Sequence, residues 1–317
     1  MIGSVIGSVI GSLRTRPSPD DLAALTVAGH PSTPRSVEIG GHRMSYVDEG
    51  SGPPVLLVHG NPTWSFYWRS LLAALPAAGM RAIAPDHIGM GRSARPSADE
   101  YPHTLRRRVD DLGAFVDALE LDEPISLVVH DWGGPIALSW AVENLERLDK
   151  VVLLNTAAFP LPAGHRLPWT LQVARLPVVG DVAVRGLGAF SRGALALGTT
   201  RRWLPAEARR GLLAPYASPT HRTAVHAFVQ DIPTDPGDPA QPVLERLATR
   251  LPLLDELPVQ VWWGLQDPVF DVRILDELAT YLPHAEVHRL ADAGHYVLED
   301  AADRIVPGVR DFLAGSP

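Results

Sequence analysis

Residues 125–140 read ISLVVHDWGGPIALSW, and the interpretation of the rest of the chain starts from this stretch. The run ISLVV at 125–129 is apolar and rich in β-branched residues, a pattern typical of a strand buried on both faces. The run IALSW at 136–140 continues as an apolar helix. Asp131 stands at the bend between them, and Gly133 and Gly134 follow. A strand that turns sharply into a helix with one reactive side chain at the bend is a nucleophile elbow, and here that side chain is a carboxylate.

The composition is that of an ordinary globular protein with one large domain, or one domain with a sizeable insertion. The 317 residues are 46% hydrophobic and 20% charged, and the absence of cysteine excludes disulfides and Cys-ligated zinc. The net charge of −8 argues against a dedicated nucleic-acid-binding surface. Neither a P-loop nor a Gly-x-Gly-x-x-Gly after a strand occurs, so we expect no nucleotide site. We also expect no other cofactor and no metal ion.

The first 35 residues precede the globular pattern. Residues 1–13 repeat an Ile-Gly-Ser-Val theme, and residues 14–35 are polar and rich in proline. The repeat has no positively charged region before it, and it is too short and too rich in glycine to span a bilayer. We expect a poorly ordered tail, with a surface-seeking or partner-binding arm as the alternative, on a cytoplasmic protein without a membrane span.

Short apolar strands alternate with amphipathic helices along most of the chain. Eight strands are predicted, at 37–39, 44–47, 54–58, 81–85, 125–129, 151–154, 259–263 and 286–290. Alternation of this kind predicts an α/β protein with a mostly parallel eight-stranded sheet and helices on both faces. Residues 156–252 interrupt it with prolines, arginines and helical spacing. We therefore expect a core of residues 36–155 and 253–317, and a helical cap of residues 156–252 over the C-terminal edge of the sheet.

Three residues are predicted to perform the chemistry. A carboxylate nucleophile at Asp131 needs a base to cleave the ester that it forms and a group to orient that base. His295 follows the last predicted strand, and enzymes with this elbow carry nucleophile, acid and histidine in that order. Asp267 follows the strand at 259–263 and is assigned as the acid, because the other possible position holds Asn155. The alternatives are a turn residue at Asp267 and a structural histidine at His295.

Asn61 and Trp132 are predicted to bind the leaving group. Their backbone N–H groups can form an oxyanion hole for ester cleavage. Their side chains offer an amide N–H and an indole N–H, and two such donors in an apolar pocket suit a departing anion such as halide. The alternative is that Trp132 is core packing and Asn61 a turn residue.

Aromatic residues on the cap side are candidates for the wall of an apolar substrate pocket, although they are equally suited to the core of the cap. They are Phe159, Trp169, Phe190, Phe228 and Phe270. Asp86, in a glycine-rich turn, and His130, beside the elbow, are interpreted as structural.

Five segments resemble the haloalkane dehalogenase family, which has an α/β-hydrolase fold with a helical cap. They are HGNPTWSFYWR (59–69), PDHIGMGRS (85–93), VVHDWGG (128–134), WWGLQDP (262–268) and DAGHYVLED (292–300), within a match of roughly residues 36–314. The resemblance implies a nucleophile at Asp131, a base at His295 and halide donors at Asn61 and Trp132. The Asn61 and Trp132 pair, combined with an acid at Asp267 rather than a Glu at the position of Asn155, looks like the third dehalogenase subfamily. The segment at 214–233 is also similar to the β-lactone decarboxylases of bacterial olefin biosynthesis, which share the same five site residues.

The predicted function is that of a haloalkane dehalogenase-type hydrolase. Asp131 displaces halide from an sp³ carbon, and water activated by His295 cleaves the alkyl-enzyme ester to give an alcohol. The alternative is a β-lactone decarboxylase that forms a cis-alkene with the same residues. An epoxide hydrolase is less favoured, because residues 156–252 contain only Tyr216 where two tyrosines are usual. A catalytically inactive binding module is the remaining class. We expect a small apolar substrate as the partner, and the sequence gives no oligomeric state.

Overall fold

The computed structural model describes residues 22–30, 34–162, 164–200 and 204–315. Within them the chain forms one eight-stranded sheet with the strand order β1-β2-β4-β3-β5-β6-β7-β8. The strands are β1 (Arg35–Ile39), β2 (His42–Glu49), β3 (Pro54–Val58), β4 (Arg81–Pro85), β5 (Ile125–Asp131), β6 (Leu148–Thr156), β7 (Val259–Gly264) and β8 (Glu286–Leu290). The predicted tail at 1–13 lies outside the described residues.

The strands of the sheet differ in burial and in the direction of their pairing. Strands β3 and β5 are buried at every residue, and they pair in parallel with Leu57 opposite Val128. The other pairs from β3 to β8 are parallel as well, while β1 with β2 and β2 with β4 are antiparallel. The prediction of a mostly parallel eight-stranded sheet is therefore confirmed. The carboxyl ends of β3, β5, β6 and β7 meet along one edge, where open α/β sheets bind ligands.

The helices outside the stretch from β6 to β7 pack as separate groups on the sheet. They are α1 (Arg69–Ala77), α2 (Leu105–Ala118), α3 (Gly133–Ala141), and, after β7, a helix at Val272–Tyr281, another at Val297–Asp300 and a last one at Ala302–Ala314. Helix α1 packs against the last helix, and α2 packs against α3. The Thr104 side chain caps α2 by accepting a hydrogen bond from the backbone N–H of Arg107, so the helix begins at Leu105.

The segment between β6 and β7, residues 157–258, holds helices and no strand among its described residues. We call it the intervening segment. Its α-helices and one π-helical turn are α4 (Trp169–Arg175), α5 (Val179–Asp181), the π-helical turn (Val182–Gly186), α6 (Ala189–Leu197), α7 (Ala206–Leu213), α8 (Thr223–Gln230) and α9 (Gln241–Arg250). Short 3₁₀ helices lie at Ala214–Tyr216, Thr220–Arg222 and Leu251–Glu256. Continuing the numbering, the later helices are α10 (Val272–Tyr281), α11 (Val297–Asp300) and α12 (Ala302–Ala314). The described part of the chain contains no helix with both the length and the apolarity to cross a bilayer.

Candidate active site

Asp131 is held at the sharp bend between β5 and α3. Its φ of 53° lies in the left-handed region, which a non-glycine residue adopts only when its surroundings enforce it. Close packing supplies that constraint: a Cβ on Gly60 would collide with the Asp131 carboxylate, and a Cβ on Gly133 would collide with the backbone of Val58. The Thr156 hydroxyl also donates to the Asp131 carbonyl at 2.5 Å. The bend therefore fixes where the carboxylate points.

The Asp131 carboxylate is buried and faces both a histidine and backbone donors. Its Oδ1 accepts a hydrogen bond from the Asn61 backbone N–H at 2.6 Å, and its Oδ2 lies 3.6 Å from His295 Nε2. Burial raises the pKa of Asp131, while the His295 charge and the backbone N–H groups of Asn61 and Trp132 oppose that rise. The two backbone donors predicted to form an oxyanion hole thus surround the carboxyl group on which such an oxyanion would develop.

His295 lies between two carboxylates. Its Nδ1 is 2.8 Å from Asp267 Oδ2, on the side opposite Asp131. Burial alone would lower the pKa of His295, but Asp267 and then Asp131 outweigh it, so that the pKa is raised. The ring of His130 packs beside it, and His130 Nε2 hydrogen-bonds the His295 carbonyl at 2.8 Å. The structure therefore brings Asp131, His295 and Asp267 into one row.

The Asp267 carboxylate accepts hydrogen bonds from three donors besides His295. One of them, the Asn155 amide, was not predicted from the sequence. Its Oδ1 accepts from the backbone N–H groups of Val269 and Phe270 at 2.7 and 3.1 Å. Its Oδ2 accepts from the Asn155 side-chain amide at 2.9 Å. Asn155 is the second-to-last residue of β6 and has a φ of 26°, and its Oδ1 accepts from the Gly264 backbone N–H at 2.8 Å. In the sequence alone Asn155 is only a position that lacks an acid, although its place at the same sheet edge indicates that it could contact one.

The loop that carries His295 is tied to the intervening segment. The Tyr296 backbone N–H donates to the Gly198 carbonyl at 2.9 Å. The Asp300 carboxylate accepts from the backbone N–H groups of Gly294 at 2.8 Å and Thr200 at 3.0 Å. The position of the imidazole therefore depends on the end of α6 as well as on the sheet.

Asn61 and Trp132 present side-chain donors next to Asp131. The Asn61 amide donates to the Val225 carbonyl in α8 at 3.2 Å, which leaves its second N–H free to point elsewhere. The indole N–H of Trp132 has no acceptor among the residues that the structure describes. Both side chains border the same cavity as Asp131. An anion formed beside Asp131 would find these two donors unpaired.

The cavity above Asp131 has a volume of about 540 Å³ and a wall that is almost wholly apolar. Four of the five predicted aromatic residues border it, namely Phe159, Trp169, Phe190 and Phe270. Its polar side chains include Asn61, Asp131, Trp132 and His295. One large apolar space that ends at a carboxylate suits a substrate with alkyl chains and a single reactive group.

Phe228 lies outside this wall, contrary to the expectation. It is fully buried, with its ring 3.5 Å from the Arg108 guanidinium carbon and 5.5 Å from the Trp132 ring. Its place behind Trp132 explains the difference: an apolar helix in the intervening segment has one face toward the cavity and another toward the core. Tyr216 is also buried away from the cavity, and its hydroxyl donates to the Thr63 carbonyl at 2.7 Å. In the described residues no group of three His, Asp or Glu side chains could hold a metal ion.

Comparison with known proteins places this geometry in a family. The α/β hydrolase fold family matches residues 53–302. The chain belongs to this family. Relatives include a cis-3-alkyl-4-alkyloxetan-2-one decarboxylase from Shewanella oneidensis, 44% identical over 86% of both chains, and one from Xanthomonas campestris, 42% identical over 92% of this chain and 100% of that one. Haloalkane dehalogenase 2 from Mycobacterium bovis is 36% identical over 84% of this chain and 90% of its own.

Solved structures of this family agree with the fold. Haloalkane dehalogenase DbeA from Bradyrhizobium elkani superposes with a TM-score of 0.79 at 27% identity, covering 89% of this chain and 98% of that one. The resemblance drawn from the five sequence segments is therefore confirmed, and the chain is an α/β-hydrolase-fold enzyme. Relatives of both kinds suggested by the sequence motifs, decarboxylases and dehalogenases, are found. The two decarboxylases are more similar in sequence to this chain than haloalkane dehalogenase 2 is.

Proposed function

We propose that the enzyme decarboxylates cis-3,4-dialkyl oxetan-2-ones, which are β-lactones, to cis-alkenes. The observation that carries this proposal is the similarity to two enzymes of that name, at 44% and 42% identity, against 36% for the dehalogenase. The apolar cavity of about 540 Å³ that ends at Asp131 supports it, since two alkyl chains need such a space. The order of preference drawn from the sequence, with the dehalogenase first, is thereby reversed.

The first step opens the lactone ring. A carboxylate oxygen of Asp131 attacks ring carbon C4 on the face opposite the ring oxygen, and the C4–O bond breaks with its electron pair staying on that oxygen. The configuration at C4 inverts. The product is an ester between Asp131 and C4, and the former lactone carbonyl has become a free carboxylate on C3.

The second step releases both products. The bond between C3 and its carboxylate breaks, carbon dioxide departs, and the electron pair forms the C3=C4 double bond while the bond from C4 to Asp131 breaks. The Asp131 carboxylate is restored, and neither water nor an oxidant is consumed. Inversion in the first step followed by anti elimination in the second places both alkyl groups on one side, so a cis-lactone gives a cis-alkene.

The surrounding donors would stabilise charge in each step. The unpaired N–H groups of Asn61 and Trp132 would hold the carboxylate that ring opening creates, and hydrogen bonds to charged groups contribute about 1.5–3 kcal/mol each. His295 is positioned by Asp267, and its raised pKa favours an imidazolium. That cation would stabilise Asp131 as its negative charge returns during elimination.

Haloalkane dehalogenation is the second candidate, favoured by the unpaired indole N–H of Trp132 at the cavity wall. In that reaction Asp131 displaces halide, and neutral His295 takes a proton from water that attacks the alkyl-enzyme ester. The backbone N–H groups of Asn61 and Trp132 would then stabilise the tetrahedral oxyanion. An epoxide hydrolase is not proposed, because Tyr216 donates to a backbone carbonyl away from the cavity.

We also propose the division of the chain drawn from the sequence, with residues 156–252 as a cap on a core of residues 36–155 and 253–317. The fact that Leu167, Phe190 and Val229 of the intervening segment line the cavity together with Asp131 supports this division. A cap of this kind would set the length of alkyl chain that the cavity accepts.

The test is product analysis with one purified preparation. Incubation with a cis-3,4-dialkyl oxetan-2-one is expected to give cis-alkene and carbon dioxide in equal amounts, measured by gas chromatography. Asp131→Asn is expected to lower the rate by at least about 10³-fold, whereas the exposed control Asp303→Asn keeps it. Hydrolysis to a β-hydroxy acid would contradict the proposal, and halide release from 1-bromobutane or 1,2-dibromoethane without alkene from the lactone would assign the second candidate.

A further inference from the structure

The exposed apolar side chains of this enzyme are concentrated in one part of the intervening segment. Of ten large hydrophobic residues exposed in the described chain, eight lie between residues 169 and 197. Val178 is 75% exposed, Leu187 63% and Val182 52%. They lie on or between α4, α5, the π-helical turn and α6, which follow one another along the chain and pack against each other. Val178 has a φ of 62°, a strained conformation for a β-branched residue, and it is nevertheless kept at the surface.

This apolar surface, residues 169–187, is continuous with the mouth of the cavity. Trp169 and Val173 are exposed and also line the cavity, and so does Leu197 at the end of α6. Val178, Val182 and Leu187 are outside the lining. A contiguous exposed apolar area of this kind marks an interaction surface rather than ordinary solvent-exposed protein.

The part of the chain that contains this surface has a net positive charge, whereas the whole chain has a net negative charge. Residues 159–213 contain eight arginines and two acidic residues, a net charge of +6, whereas the whole chain carries −8 and the remainder therefore −14. Arg166, Arg192, Arg209 and Arg210 are exposed and form no ion pair with a described residue. Arg192 donates to the Leu187 carbonyl at 2.7 Å, which places its charge beside the apolar surface.

We propose that residues 169–187, together with the exposed arginines at 166, 192, 209 and 210, dock the enzyme on an anionic lipid surface. Apolar side chains enter the boundary between headgroups and acyl chains, while arginines remain at the level of anionic headgroups. A second copy of the chain would bring two positive surfaces together. Residues 1–13 are uncharged and would leave the arginines uncompensated. Charge complementarity therefore favours the lipid surface over both.

Docking in this orientation turns the cavity mouth toward the bilayer. A dialkyl substrate could then pass from the acyl layer into the cavity without crossing water, a consequence that rests on the proposed function. The docking itself does not rest on it, because vesicle binding is measured without any turnover. Failure of the proposed chemistry would leave the docking result unaffected, and the reverse also holds.

The test is cosedimentation of the full chain with vesicles. Phosphatidylcholine vesicles with about 30 mol% phosphatidylglycerol are expected to bind at least about tenfold more protein than phosphatidylcholine alone. Raising NaCl from about 50 to about 500 mM is expected to remove most of that difference, because salt screens exposed charges.

Two variants separate the apolar and charged contributions. The triple variant Val178→Asn, Val182→Ser, Leu187→Ser is expected to bind at least about tenfold more weakly. The triple variant Arg192→Gln, Arg209→Gln, Arg210→Gln is expected to bind about a hundredfold more weakly, at about fivefold for each arginine. The apolar control is Leu253→Ser with Val272→Ser, the two large exposed hydrophobic residues elsewhere in the described chain. The charge control is Arg106→Gln with Arg289→Gln and Arg304→Gln, which removes the same number of positive charges.

Retained binding in the controls, together with loss in both test variants, would support the proposal. Absent binding, equal binding to both vesicle types, or equal weakening by the controls would overturn it. A chain that forms dimers in solution and shows no vesicle binding would instead assign the surface to a second copy.

Discussion

The protonation state of His295 distinguishes the two chemistries proposed for this enzyme. Both need Asp131 ionised, and burial raises the pKa of Asp131, so both rates fall toward low pH. Decarboxylation as proposed uses imidazolium, whereas dehalogenation uses neutral imidazole as a base. The pKa of His295 is raised, so alkene formation from the lactone is expected to fall as pH increases through that pKa. Alcohol formation from a bromoalkane, which needs neutral His295 for ester hydrolysis, is expected to rise over the same range. Single-turnover rates measured across this range with lactone and with bromoalkane would decide; alkene formation that increases with pH would contradict the role given to His295.

Asn155 is predicted to be a positioning residue that acts through Asp267. Removing its amide in Asn155→Ala deletes a hydrogen bond to a charged group, an effect of about 1.5–3 kcal/mol and therefore a fall in turnover of about 10- to 150-fold. Asp267 would also become the stronger partner of His295, so the high-pH limb of the rate profile is expected to move upward. The control is Asn144→Ala, whose amide donates to a carbonyl within the same turn of chain. An unchanged pH profile would show that Asn155 is merely structural.

Residue order along the chain predicted much of this site. The loops after parallel strands end at one edge, so Asp131, Asp267 and His295 could be expected to meet, and the structure brings them together. Their chemical roles stay predictions. The contact of Asn155 with Asp267 does not follow from the sequence, because an amide in place of an acid does not by itself indicate a partner. The prediction for Phe228 is wrong because the sequence does not say which face of a buried helix borders a cavity.

At the scale of elements, the loop after β3 and the bend after β5 have to approach each other closely. Gly60→Ala would place a methyl group against the Asp131 carboxylate and displace it, since the backbone on both sides is fixed. We expect activity to fall at least about 100-fold, because small misplacements of a reacting group have effects of that size. Circular dichroism is expected to show a retained fold. Gly237→Ala, where a Cβ meets nothing within 4 Å, is the control, and equal loss of activity in both would contradict this explanation.

Strands and helices of the core were predicted closely, and the exceptions have physical causes. Strand β6 begins at Leu148, three residues before the predicted start at Val151. The prediction starts late because Asp149 and Lys150 break the apolar pattern. The Lys150 ammonium group is nevertheless buried and donates to the Leu313 carbonyl at 3.0 Å. In the intervening segment the helical character was predicted but not the individual helices, because prolines and small residues leave their bounds to tertiary packing.

For the whole molecule, the burial of neutral histidines predicts that the folded state becomes less stable as pH falls. Burial, together with the Arg108 charge, lowers the pKa of His103 from 6.5 to about 4. Between these values the unfolded chain binds a proton that the folded chain excludes, so the free energy of unfolding falls as pH decreases, by about 1.4 kcal/mol per pH unit for this residue. Above 6.5 the contribution is complete.

Denaturant unfolding at a series of pH values checks this. In His103→Gln the free energy of unfolding is expected to depend less steeply on pH between 6.5 and about 4 than in the native protein. Gly237→Ala, at an exposed position where a Cβ meets nothing within 4 Å, is the control and is expected to leave this part of the slope in place. A slope that is the same in His103→Gln as in the native chain would show that His103 takes up its proton while folded.

The whole account depends on a covalent bond between Asp131 and a substrate carbon, which mass spectrometry can detect directly. In His295→Gln the imidazolium that assists elimination is missing, so the ester should accumulate when a cis-3,4-dialkyl oxetan-2-one is added. The account predicts that the peptide containing Asp131 gains the full mass of the lactone, and that this adduct decays to unmodified peptide as alkene appears. Unmodified peptide throughout, while alkene is still formed, would contradict it.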